Sequence, residues 1–270
     1  MITFVDGVRQ AAIAVTDSTV VRGDGVFEAV RSYGGRLFAL DEHLARLAHS
    51  AAAMGIDLPD GERIGSWMRS AAAEGGDGVV RVIVSRGDVV PGASGEERVV
   101  VIHHRVPFTP SALRLRPWPA PWHPAGRPWE LSGVKTTSYA PHQAATRSAG
   151  RDGFDDALLL TDDGAVLEGP TFGVLWIRGE VISAPALELG ILDSITRRHV
   201  LRLAEEEGLA VDTGRFQLDD VLTADEVLAV STVKEVTPVV SVGEQEFRPG
   251  PLTRNLASRF RDHVIATVRS

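Results

Sequence analysis

Of the 28 lysines and arginines in this 270-residue chain, only Lys135 in LSGVKTTSYA and Lys234 in STVKEV are lysines. A deprotonated amine adds to a carbonyl carbon and expels water as a Schiff base, a step closed to arginine, which keeps its proton at any usable pH. A chain that has moved nearly every cation to arginine and kept a lysine has therefore spared either a reagent or a leftover surface residue. The neighbours of each lysine have to decide which.

One use of such an amine is to hold pyridoxal phosphate, and that demands further groups: a carboxylate facing the pyridine nitrogen and a cluster of donors for the phosphate. Glu168 in GAVLEGP stands at the end of a predicted strand, beside a glycine. In GILDSITRR, Asp193 or Ser194 is placed to cap a helix whose first N–H groups belong to Ile195 and Thr196, the arrangement that receives anions. Taken singly, the first reads equally as a solvated turn residue and the second as an ordinary cap.

These residues need elements to carry them. MITFVDGVRQAAIAV reads as strand, Asp6-Gly7 turn and strand, and GVFEAVRSYGGRLFAL repeats the pattern around Gly34-Gly35. DEHLARLAHSAAAMGI has Leu44, Leu47, Ala48, Ala51 and Met54 at helical spacing, with Asp41 as the expected N-cap and Gly55 as the stop. GERIGSWMRSAAAEGG predicts a second helix, and VVRVIVSRG and ERVVVIHHRV predict β-branched strands. Hairpins dominate these connections, so the first half is expected to be an α/β layer and not a doubly wound sheet. From Pro107 to Pro128 the chain is dense in proline, predicting a connector with an irregular edge strand. Beyond it YAPHQAATRSAGRDG reads as a helix, DDALLLTDDGAVLEG and VLWIRGEVISAP as hairpins, and ITRRHVLRLAEEEGL and PLTRNLASRFRDHVIATV as helices. There is no internal repeat.

Composition narrows the chemistry further. With 44% apolar and 24% charged residues the chain has the balance of a folded globular protein. A net charge of −8 opposes binding to nucleic acid or to an anionic membrane, so small molecules and a second copy are the expected partners. The absence of cysteine removes thiol nucleophiles, disulfides and thiolate metal sites. His103 and His104 are adjacent on a strand and face opposite ways, a poor metal pair, and no metal is expected. The glycines of EGGDG and GASGEE fit neither a P-loop nor a dinucleotide fingerprint. The N-terminus shows no basic leader followed by a long apolar run, which makes the cytoplasm the expected location and the RGD at 22–24 accidental.

As a set, the segments resemble the fold-type IV pyridoxal phosphate enzymes, the class IV aminotransferase family of branched-chain aminotransferases, D-amino-acid transaminases and 4-amino-4-deoxychorismate lyases. The segments that carry the resemblance are RGDGVFEAVRSYGGRLFALDEHLARL, GVKTTSY, DDALLLTDDGAVLEGP, LELGILDSITRRHVLRLA and ADEVLAVSTVKEVTPV, in that order over nearly the whole chain. The resemblance implies an N-terminal α/β sandwich domain over 1–108, a linker over 109–115, and a C-terminal pseudo-barrel α/β domain over 116–270 that carries the cofactor lysine. It implies pyridoxal 5′-phosphate as cofactor and a homodimer with sites near the subunit interface. Lys135 would form the Schiff base and shuttle a proton, Arg46 would hold the phosphate as a charged fork, and Glu168 would pair with the ring nitrogen. Ile195, Thr196 and Thr232 would donate to the phosphate, Leu192 would pack on a ring face, and Tyr139 would reach the 3′ oxygen. Phe27 and Val233 would line the substrate pocket. Lys234 is expected at the rim or in solvent.

Within the family, STVKEVTPVVSVGEQEFRPGPLTRNLASRF looks most like a D-amino-acid transaminase, whereas RGDGVFE and KTTSYA also look like aminodeoxychorismate lyases; a branched-chain aminotransferase is a third reading. The best-known D-amino-acid transaminases carry an Arg-x-His pair after the SRG strand for the substrate carboxylate, and SRGDVVPGASGEERVV has none. Arg22, at a position where relatives place a tyrosine aimed into the neighbouring subunit, is the expected substitute, with a structural salt bridge as the alternative. Arg86, His103 and His104 are further candidates. In PTFG, Phe172 stands where the family uses small polar residues and is expected to narrow the substrate pocket.

Overall fold

A computed structural model describes residues 1–89 and 96–269. The chain divides into two compact units: residues 1–107 with 134–139 and 264–270, and residues 108–133 with 140–263. The first break falls after Pro107. The stretch Val134–Tyr139, and with it Lys135, groups with the first unit and not, as expected, with the second.

The first unit runs β1 (Ile2–Val5), β2 (Val8–Arg9), α1 (Ser18–Arg22), β3 (Gly25–Tyr33), β4 (Arg36–Leu37), α2 (Leu40–Ala53), α3 (Gly61–Gly75), β5 (Gly78–Ser85) and β6 (Arg98–His104). Its six strands form one antiparallel sheet in the order β2-β1-β6-β5-β3-β4. Both expected hairpin turns form, with Asp6, Gly7, Gly34 and Gly35 all at positive φ, the backbone that two-residue hairpin loops require. Helices α2 and α3 pack on the sheet through Leu47, Ala51, Ile64, Met68 and Ala72, all fully buried against Val26, Val30, Val80, Val82 and Val101. Asp41 does not cap α2. The helix begins two residues earlier than that cap would place it, at Leu40, after Ala39 in the left-handed conformation (φ 52°, ψ 39°), and Asp41 sits with Glu42 in the first turn, where it faces the positive helix end.

The second unit contains β7 (Leu113–Pro119), α4 (Ala140–Arg151), β8 (Asp156–Leu160), β9 (Gly173–Arg178), β10 (Val181–Pro185), α5 (Ile195–Glu206), β11 (Ala210–Gly214), α6 (Leu218–Leu222), β12 (Glu226–Ser231), β13 (Glu235–Val242), β14 (Gln245–Glu246) and the start of α7 (Pro251–Arg269). Its sheet runs β11-β10-β9-β12-β13-β7-β8, with β14 on β13, and curls into a half-barrel. The proline-rich β7 is an interior strand and not the expected edge: it pairs in parallel with both β13 and β8. Pairing to β13 ends at Leu115, before the donor-less Pro117 and Pro119 would interrupt it, which is how an interior strand tolerates them.

Candidate active site

In the first unit, polar groups gather where α2 crosses β3. Glu28, two residues from the buried Val26 and Val30, points into the covered face of the sheet and is 1% exposed. His43 and Arg46 lie three apart on α2 and so share one face of the helix. Arg46 donates from Nε to Glu28 Oε1 (2.6 Å) and from Nη2 to Oε2 (2.9 Å), while His43 Nδ1 lies 2.8 Å from Oε2. Burial by itself would push the Glu28 pKa up; the hydrogen bonds and charges of His43 and Arg46 overcome it and hold the carboxyl far below the ordinary carboxylate range. His43 is pushed down by burial, against the pull of Glu28 and with the charges of Arg46 and Lys135 adding to the shift. A neutral imidazole beside an ionised, acceptor-only carboxylate must carry its proton on Nδ1 and donate it to Glu28.

Lys135 is fixed to this group through its backbone. The segment 135–137 lies antiparallel to the start of β3: Phe27 N–H donates to Lys135 O (3.0 Å), Thr137 N–H donates to Gly25 O (2.8 Å), and Val26 and Thr136 form the bridge between them. Ser50, on α2, accepts from the Lys135 N–H (3.2 Å). Gly25 has no room for a side chain beside this pairing: a Cβ would lie 2.5 Å from Thr19 Cγ2 and 2.8 Å from the Val84 carbonyl oxygen. Lys135 Nζ stands 4.5 Å from the centre of the Phe27 ring, and Tyr139 meets the same ring edge-on at 5.4 Å. Lys135, Arg46, Tyr139 and Phe27 are thus brought together.

Arg22 is elsewhere in this unit. It ends α1 in solvent with no ion pair among the described residues, so the salt-bridge alternative has no partner, and Val20 and Val21 beside it are 57% and 52% exposed. Arg86 is structural: Nε bonds Asp24 (3.1 Å), and Nη1 and Nη2 close the C-terminal end of α2 at the Gly55 and Met54 carbonyls. His103 is buried within 3.5 Å of Ser32, and His104 bonds the Arg105 carbonyl, on opposite faces of β6. Part of the segment without the Arg-x-His pair, residues 90–95, lies outside the described residues.

The second unit assembles its groups at the ends of elements. Glu168, half-buried, accepts from the Leu192 N–H through both oxygens at 3.3 and 3.4 Å. Of the two possible caps of α5 the structure selects Ser194, whose hydroxyl accepts from the Arg197 N–H (3.3 Å). Ile195 and Thr196 are then the first two helical residues, both buried, with N–H groups that no intrahelical carbonyl can reach. Thr232 and Val233 occupy the β12–β13 turn. Phe172 is 4% exposed in the core of this unit and closes over Gly169, where a Cβ would lie 2.1 Å from its ring. Lys234 is not free in solvent. It is half-buried, its pKa lowered by burial against the attraction of Asp156, with Nζ donating to Thr171 Oγ1 (3.2 Å) and 5.1 Å from the Phe172 ring centre.

Glu28 and His43 are the groups that sequence reasoning missed. Each had a signal: a carboxylate inside the apolar strand GVFEAV must meet a cation, and His43 is one helical turn from Arg46.

The first unit thus carries an amine and a charged fork, and the second a carboxylate and a capped helix start, group types that carbonyl–amine chemistry on a bound cofactor uses. The family model for amino-transferase class IV matches residues 25–242, and the chain belongs to that family. It is 31% identical to a putative branched-chain-amino-acid aminotransferase of Methanocaldococcus jannaschii (96% of this chain, 93% of the relative). It is 31% identical to a D-alanine aminotransferase of Bacillus licheniformis (95% and 93%), and 29% identical to an aminodeoxychorismate lyase of Bacillus subtilis (95% and 91%). A solved hypothetical aminotransferase from Mycobacterium tuberculosis, in a form bound to α-ketoglutarate and PMP, superposes with a TM-score of 0.90 at 25% identity, covering 98% of this chain and 99% of its own.

Class IV aminotransferases depend on pyridoxal phosphate. The group types present fit its parts: an amine for the aldehyde, a carboxylate for a protonated ring nitrogen, and helix-start N–H groups without an intrahelical acceptor, with the buried Thr196 hydroxyl, for the phosphate. No helix among the described residues is long and apolar enough to cross a membrane.

Proposed function

We propose that the protein is a transaminase that moves an amino group between a D-amino acid and a 2-oxo acid in two half-reactions on one site. When bound, pyridoxal phosphate supplies an aldehyde for amine exchange and a ring that withdraws electrons from the substrate Cα. Lys135 would hold the cofactor through Nζ and move the proton at the substrate Cα. Arg46, its guanidinium plane fixed by Glu28, would hold the phosphate, as would the N–H groups of Ile195 and Thr196 and the hydroxyls of Thr196 and Thr232. Glu168 would keep the ring nitrogen protonated, Leu192 would pack on the ring, and Tyr139 would donate to the 3′ oxygen. Phe27, Val233 and Phe172 shape the substrate pocket.

The observation that carries this reading is the fixing of Lys135 against Phe27 and the Glu28–His43–Arg46 group by main-chain pairing, which gives a flexible amine one address. The protein works as a cytoplasmic homodimer in which Arg22, unpaired and flanked by exposed valines, serves the partner's site as receptor for the substrate α-carboxylate. Similar identity to an aminodeoxychorismate lyase supports a second reading, elimination of pyruvate from 4-amino-4-deoxychorismate. Similar identity to the archaeal branched-chain enzyme supports a third, transfer from L-leucine. Incubation with D-alanine and 2-oxoglutarate, with L-leucine and 2-oxoglutarate, and with aminodeoxychorismate separates them. Glutamate formed from D-alanine supports the first reading; 4-aminobenzoate without amino transfer replaces it with the lyase.

A further inference from the structure

The chain keeps two lysines, of which the transaminase reading uses only one; the role assigned to the second rests on that reading. Lys234 is held with care. Ser231 Oγ accepts from the Lys234 N–H (3.0 Å), Thr237 Oγ1 donates to the Lys234 carbonyl (2.8 Å), and the next residue, Glu235, takes the left-handed backbone (φ 54°) that non-glycine residues avoid. Such a backbone persists where its surroundings over-determine it. The turn so fixed carries Thr232 and Val233, and its lysine reaches Thr171 and Phe172, three and four residues beyond Glu168. Nζ therefore ties together two loops that each bear residues assigned to the site.

Its surroundings are incomplete for an ammonium. An ammonium has three hydrogens to donate and is costly to desolvate without a counter-charge. Around Lys234 Nζ there are one hydroxyl and one aromatic face; Asp156 attracts it, but among the described residues no carboxylate lies within ion-pair distance. Thr171, which accepts from Nζ, is exposed, and Lys234 itself is half-buried and not sealed in the core. With the α-carboxylate assigned to Arg22, we propose that Lys234 is the specificity-determining side chain that receives the second carboxylate of a dicarboxylic 2-oxo acid.

Calorimetric titration of the cofactor-loaded protein with glutarate and with butyrate tests this without turnover. Wild type is expected to bind the diacid about 10- to 100-fold more tightly, the worth of a hydrogen bond to a charged group, and Lys234→Met to abolish that preference. The ratio of KM for 2-oxoglutarate to KM for pyruvate should rise by the same factor. Unchanged visible absorbance of the bound cofactor reports that the variant is folded; Lys234→Gln serves if the methionine variant does not accumulate. Equal weakening of both acids, or no change in either ratio, overturns the assignment. If no 2-oxo acid is turned over with any amine donor, the transaminase reading fails, and the glutarate–butyrate comparison still decides the role of the lysine.

Discussion

The two units hold their charged groups by different means. In the first, Glu28, His43 and Arg46 satisfy one another deep beneath α2, side chain to side chain. In the second, Glu168 leans on a main-chain N–H and α5 begins with a hydroxyl cap, both at the edges of elements. The first arrangement makes the position of Arg46 inseparable from the stability of the unit, because removing either Glu28 or Arg46 strands a buried charge. The second holds its carboxylate and its helix start at the ends of elements, through a main-chain N–H and a cap hydroxyl. One unit stores rigidity; the other presents donors and an acceptor.

The comparison can be broken from either side. The largest effect is expected at Lys135, which either arrangement serves: Lys135→Ala should abolish the visible absorbance of the bound cofactor and cut turnover by at least about 10²- to 10⁴-fold, the share of one proton-transferring group. A variant keeping both would remove Lys135 from the chemistry. Glu28→Ala should destabilise the protein by about 3–5 kcal/mol, read as loss of thermal stability in the absence of cofactor, since it leaves Arg46 buried without its counter-charge. Glu168→Gln, by contrast, should leave the melting temperature close to wild type while lowering turnover by about 10²- to 10³-fold, as expected for loss of one electrostatic partner of the ring. A large stability loss there would erase the difference between the units.

The pH dependence sharpens the same contrast. The pKa values of Glu28 and His43 are both lowered by folding, so the unfolded chain takes up their protons first and stability falls as pH falls. For His43 the loss starts near the ordinary histidine value of about 6.5 and approaches about 1.4 kcal/mol per pH unit below it; Glu28 adds a second loss below about pH 4.5. Melting curves between about pH 5 and pH 7.5 should show His43→Gln losing about one proton's worth of this slope. The smallest effect belongs to the cap: Ser194→Ala should cost about 1 kcal/mol and leave that slope untouched, as denaturant titration would show.

Much of this was legible in the chain. The Asp6-Gly7 and Gly34-Gly35 turns, the two helices over the first sheet and the helix after Ser194 follow from period and from local turn and cap chemistry. Asp41 failed as a cap because α2 starts two residues early, after the left-handed Ala39. The prolines of β7 argued for an edge strand because composition does not reveal that pairing to β13 stops before them. Lys234 looked like a solvent cation because nothing in STVKEV announces Thr171 and Phe172 above it. Glu28 was passed over because a strand carboxylate declares its need for a partner without saying where the partner is.

Residue type and local spacing thus determined which chemistry was available: a lone amine fit for carbonyls, a helix start fit for an anion, and no thiol at all. The tertiary structure decided which of those groups have neighbours. It set Lys135 beside Phe27 and the Glu28 cluster, left Arg22 in solvent and turned Arg86 into a clamp, because partners far apart in sequence meet only through strand register and helix packing, which no local pattern encodes.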